Sequence, residues 1–195
     1  MTPGLIALLL LGQLAAAGPD AVTAPQSQDS CLPDGTGFLS MQLRGSIEAE
    51  LDWRGSILHC TGMSRPEGRG LRLRFSGPLP GTGELAIVFA APDLGMGISA
   101  RGVPVNITVL DRLGQHVYGT RGERSCTFDE VQQQELPDQA LPPRSFRVTA
   151  RGFCTAPARA VDGDGAVLLT RFDFAGLVVF EEPDGVAPIA NKILK

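Results

Sequence analysis

Three acidic residues stand at every second position in Glu48-Ala49-Glu50-Leu51-Asp52. On a strand, residues i and i+2 project from one face about 7 Å apart. Paired carboxylates at such spacing suit glycoside hydrolysis, where one protonates the leaving group and the other attacks or activates water. Glu48, Glu50 and Asp52 are therefore the catalytic candidates of this chain. The bland alternative is the wet face of a strand, because Ile47, Leu51 and Trp53 alternate with them. The chain holds two histidines, His59 and His116. Any Ser-His-acid or Cys-His mechanism must use one of them. No Gly-x-Ser-x-Gly elbow offers a serine nucleophile, and nothing in the sequence predicts that the histidines meet.

The triplet Glu50-Leu51-Asp52 resembles part of the signature of jelly-roll endoglucanases of the laminarinase type. That signature places a further Glu shortly after the Asp. Here Trp53, Arg54 and Gly55 follow, so one of the two catalytic carboxylates is missing and catalysis is not carried over.

A second acidic group lies in Asp162-Gly163-Asp164-Gly165. An EF-hand loop needs oxygen side chains at positions 1, 3 and 5, Gly at 6 and an acid at 12. A frame starting at Asp162 puts Ala166 and Val167 at positions 5 and 6. A frame starting at Ala160 puts Arg171 at position 12. Neither frame works. Asp-Gly is a strong hairpin signal, so the stretch is expected to turn the chain between strands at about 155–161 and 166–173. Calcium remains as a cofactor candidate only through Asp162 and Asp164, as members of a site assembled from distant loops.

Cys31, Cys60, Cys126 and Cys154 are the only cysteines, and none forms Cys-x-x-Cys. Two disulfides are expected, Cys31–Cys60 and Cys126–Cys154, each closing a loop the length of neighbouring strands. The N-terminal run Gly4 to Leu14 is too short to span a bilayer, and Ala15-Ala16-Ala17 follows it. Residues 1–17 read as a signal peptide cut before Gly18, although the start carries no Lys or Arg. Residues 18–30 read as a polar leader, and residues 31–195 as one domain. The protein is expected in the periplasm or outside the cell, and not as an integral membrane protein. Its net charge of −4 argues against general nucleic-acid binding, which needs a basic patch.

The elements that carry these groups read as β throughout. Alternation marks strands at 47–53, 71–75, 103–109 and 146–150, with a buried strand at 84–90 and shorter ones at 116–120 and 125–131. Ser56 to Thr61 is expected to pair with the strand at 47–53. Two last strands are expected at 166–173 and 177–181. Glu130 to Leu136 has a weak helical pattern. The expected core is Leu51, Trp53, Leu73, Phe75, Ile87, Phe89, Val105, Ile107, Val148, Phe172 and Val179. Strands every 10–15 residues between Gly and Pro signals predict an all-β, two-sheet antiparallel sandwich, jelly-roll-like. Aromatics are few, which counts against a stacking face for sugars, and Asn106-Ile107-Thr108 is a glycosylation sequon. With no complete catalytic set, the expected function is an exported, non-catalytic binding or structural module. Its ligand or protein partner, outside the cell or in the periplasm, would meet the loops at 91–102 and 132–144. The alternatives are a small glycan-active hydrolase using the carboxylate stripe, or a subunit that adds strands to an assembly.

Overall fold

The computed structural model describes residues 31–65, 69–81, 83–113, 115–120, 125–137 and 141–180. The expected signal peptide and leader lie outside them. The fold is all-β, nearly all antiparallel, with both expected disulfides formed. Twelve strands follow in order: β1 (Phe38–Gly45), β2 (Ala49–Arg54), β3 (His59–Ser64), β4 (Leu71–Leu79), β5 (Gly83–Ala91), β6 (Ala100–Pro104), β7 (Asn106–Asp111), β8 (His116–Gly119), β9 (Cys126–Glu135), β10 (Ser145–Cys154), β11 (Ala158–Ala160) and β12 (Ala166–Val179). Among the described residues the only helical turn is a 3-10 turn at Gly55–Ile57.

The long strand β12 organises the rest. One of its edges pairs with β1 and then, at Val179↔Met63, with β3 in parallel. The other pairs with β11 and β10. One layer therefore runs β2-β1-β12-β10-β9-β6, and the other β3-β4-β5-β7-β8, with β11 linking β8 back to β12. The layers meet through aromatic rings. Phe89 of β5 lies 4.7 Å from Phe174 and 5.1 Å from Phe172, both on β12, and 6.1 Å from Phe128 on β9. Contacts between strands so far apart in pairing order mean that the sheet folds over on itself, an arrangement compatible with the expected sandwich.

Several expectations need correction. The partner of β2 is β1, not Ser56–Thr61. The 3-10 turn intervenes, and β3 pairs with β4 instead. Glu130 to Leu136 is not helical, since β9 runs to Glu135 and pairs with β10. The two expected last strands are one, β12, which continues through Gly176. Val179 is half-buried, and its neighbour Val178 faces the core in its place. The other ten expected core residues are buried.

Trp53 belongs to the core at 2% exposure, and its Nε1–H donates to the Pro78 carbonyl at 2.9 Å. Gly77 leaves room for the indole, because a Cβ there would stand 2.6 Å from Trp53 Cδ2. Gly77→Ala must displace the ring and strain that hydrogen bond. We expect a loss of about 1–3 kcal/mol and a change in emission from this lone tryptophan, checked by denaturant unfolding followed by fluorescence.

Candidate functional site

The carboxylate stripe lies on a solvated outer face. Glu48, Glu50 and Asp52 are all exposed. Arg44 reaches Glu48 at 3.6 Å and Glu50 at 3.5 Å, and Arg54 holds Asp52 at 2.9 Å. Gln42 also donates to Glu50. Glu48 and Glu50 line a groove of about 630 Å³ with Ile47, Leu79, Asp111 and Leu113. An acid catalyst in glycoside chemistry is sheltered from water, and these groups are not.

The histidines stay apart. His59 on β3 and His116 on β8 are both exposed, and four strand spacings, about 19 Å, separate those strands. The Asp-Gly stretch is a hairpin turn: β11 and β12 pair through Ala158↔Val167 and Arg159↔Ala166. Gly163 and Gly165 take the positive φ values, 85° and 137°, which glycine adopts without a steric penalty. Ser46 braces the turn, exchanging hydrogen bonds with the backbone of Ala166. Asp162 and Asp164 point into solvent there. Among the described residues no three His, Cys, Asp or Glu side chains gather to hold a metal ion.

The end of the fold at the β9–β10 connection has a different character. The loop between β5 and β6 is tied down by one side chain. Gln133 Nε2–H donates to the carbonyls of Gly95 at 2.8 Å and Ile98 at 2.9 Å, and its Oε1 accepts from Gly97 N–H at 3.0 Å. Ser99 Oγ accepts from Gln133 N–H. This clamp satisfies the backbone of a loop that would otherwise depend on water. Leu94 is buried beneath it, while Met96 and Ile98 project, 41% and 53% exposed. Large apolar side chains held in fixed positions at the surface are what a contact surface presents.

At the same end of the sheet, Leu32, Pro33, Asp34, Leu136, Pro137, Leu141 and Arg147 line a groove of about 520 Å³. Its walls are pinned on both sides. Leu136 N–H donates to Ser145 O, Ser145 Oγ–H donates to Pro142 O, and Phe180 N–H donates to Arg144 O. Arg144 takes a positive φ of 63° to make this turn, a conformation costly for a non-glycine residue. On the other wall, Leu177 N–H donates to Cys31 O at 3.0 Å, and the Cys31–Cys60 disulfide holds that segment on β3. The groove has one polar rim. Arg147 donates to Asp34 Oδ2 at 3.1 Å and to Thr36 Oγ1 at 2.7 Å. Hydrogen bonds from the Thr36 hydroxyl and backbone, then the Arg147 charge, hold the Asp34 carboxyl below the ordinary aspartate value. The rim therefore stays ionised and paired while the rest of the groove is apolar.

Both loops expected to make contacts, 91–102 and 132–144, thus meet at this end, although residues 138–140 lie outside the described ones. The sequence reading missed Gln133, Leu32, Pro33 and Arg147. Gln133 sat inside the stretch read as helical, and the groove joins residues about 100 positions apart. No helix among the described residues is long and apolar enough to cross a membrane, and the two disulfides suit an oxidising environment. Comparison with protein-family models, with curated proteins and with solved structures finds no match.

Proposed function

We propose that the protein is an exported, non-catalytic binding module that engages a protein partner, in the periplasm or outside the cell, through the β9–β10 end. One observation carries this reading: the Gln133-clamped loop displays Met96 and Ile98 at the end of the sheet where an apolar groove also opens. A clamped loop loses little conformational freedom on binding, which favours affinity. The apolar N-terminal run and the paired cysteines support export.

The test is Met96→Asp with Ile98→Asp. Both side chains are exposed, so folding stability should change by less than about 1 kcal/mol. Partner recovery from the exported fraction should fall by tenfold or more, about 1.4 kcal/mol. Unchanged recovery by a correctly folded variant would remove this surface.

The second reading is a glycan-active hydrolase built on Glu48, Glu50 or Asp52. It is favoured only by the groove that Glu48 and Glu50 line. It requires glycan turnover that Glu50→Gln abolishes without unfolding the protein.

A further inference from the structure

The first layer ends in two edge strands, and they differ. In β6, Gly102 takes a positive φ of 66° and the last residue, Pro104, has no N–H to offer. Such an edge is a poor template for a further strand. The opposite edge is β2. It pairs only with β1, in unbroken register from Ala49 to Arg54, and contains no Gly or Pro. Among the described residues no backbone hydrogen bond reaches its other side. A strand offers alternate N–H and C=O groups to each side, so β2 presents half of its backbone as an open ladder.

The groove of about 630 Å³ opens at the first half of this strand, between residues 46–50 and the ends of β4 and β7. Its apolar lining is Ile47, Ala49, Leu79, Pro80 and Leu113, the last 66% exposed. Its charged lining is Glu48, Glu50 and Asp111, with no Lys or Arg. Arg44 reaches Glu48 and Glu50 from the β1 side, one cation for two carboxylates. A segment added to β2 would therefore meet two different faces. Inward, its side chains would lie beside Ala49 and the apolar lining. Outward, they would stand beside Glu48, Glu50 and Asp52, one strand spacing of about 4.8 Å away. Opposite charges directly across a ladder stabilise and like charges destabilise. A second copy of β2 is disfavoured on that ground. Antiparallel pairing that keeps Leu51 inward on both copies sets Glu50 against Asp52, or one of these acids against itself.

We infer that the free edge of β2 receives an extended basic segment of another protein, which adds to the sheet as a further strand. Main-chain hydrogen bonds to β2 supply the attachment, and alternate side chains supply the choice of segment. Lysine or arginine at every second position pairs with Glu48, Glu50 and Asp52. Apolar residues between them fill the groove against Leu79 and Leu113. The acidic row thus blocks self-pairing and admits a segment of opposite charge. This edge is separate from the β9–β10 end and stands or falls independently of it.

The experiment is a calorimetric titration of the full chain with a capped peptide of about eight alternating lysine and valine residues, long enough to span β2. Three further peptides are compared: one with glutamate for lysine, one with the lysines and valines in two blocks, and one with every backbone amide N-methylated. The alternating lysine peptide should bind and should slow amide exchange in β2. The glutamate and block peptides should bind at least about fivefold more weakly, and the methylated peptide, which keeps the charge but cannot join a ladder, should not bind. Glu48→Gln with Glu50→Gln should weaken binding about threefold to tenfold, as for two exposed ion pairs. Glu135→Gln, at an exposed acid on β9, should change it by less than about twofold. No binding by the alternating peptide, equal binding by the block or methylated peptide, or a Glu135→Gln loss equal to the double variant's would overturn the assignment. So would a dimer on sizing that the peptide does not dissociate, because a second copy would then occupy the edge.

Discussion

Phe89→Ala should destabilise the protein by about 3–5 kcal/mol, the largest single-residue loss we expect. Phe89 is fully buried, and its ring approaches four others: Phe174, Phe172, Phe75 at 6.0 Å and Phe128. Those four come from β12, β4 and β9, so the ring touches both layers. Truncation removes its transfer free energy and leaves a cavity that fixed strands cannot close. Aromatic pairs at these distances add about 0.5–1.5 kcal/mol each beyond area burial. The measurement is urea unfolding, with the loss appearing as a lower midpoint at constant slope. Phe153→Ala is the comparison, since that ring is 38% exposed and should cost about 1 kcal/mol or less.

The second large effect is expected from Cys31→Ala with Cys60→Ala. The bridge closes a loop of sequence separation 29, and its loss should cost about 3 kcal/mol through the freed unfolded chain. The native state should change as well. Cys31 precedes Leu32, Pro33 and Asp34, which wall the apolar groove. Without the bridge that wall is held mainly by the Leu177 N–H to Cys31 O bond and by Arg147 on Asp34. Amide exchange at 31–37 should therefore rise far more than exchange in β9 and β10. Cys126 and Cys154 sit directly opposite each other in the β9–β10 ladder. Opening that bridge should lower stability similarly but leave the groove in place.

Local pattern was enough to find most strands, because alternation and burial are the same fact seen twice. Leu71, Leu73 and Phe75 alternate with Arg72 and Arg74, and the structure buries the first set, exposes Arg72 and leaves Arg74 half-buried. Pairing was not legible. Nothing local says that β2 joins β1 rather than the segment after Arg54, since partners are chosen by the whole fold. Strand β1 itself, with Leu39, Met41 and Leu43 inward, carries the same alternation and went unread. Gly176 looked like a break between two strands. In the fold it lets the layers close, because a Cβ there would stand 3.0 Å from Leu73 Cδ2 and from Phe75 Cζ. Glycine inside a strand often marks such an approach.

The candidate site was legible by halves. The loops at 91–102 and 132–144 were picked out because irregular segments between strands carry contacts. Their meeting, and the Gln133 clamp that orders one of them, depend on the β6–β9 pairing through Ala100↔Val131. The acidic stripe was found by spacing alone. Its arginine partners come from β1 and from the far end of β2, so only the fold reveals them.

The proposed partner surface is the β9–β10 end. The direct measurement is site-specific photo-crosslinking in the producing cell, with the reactive side chain at Ile98 or, as a control, at Val161. The two positions are equally apolar and similarly exposed, 53% and 56%, but Val161 sits in the β11–β12 turn. A discrete adduct is expected from position 98 and none from position 161. Adducts from position 161 alone, or the same adducts from both, would contradict it.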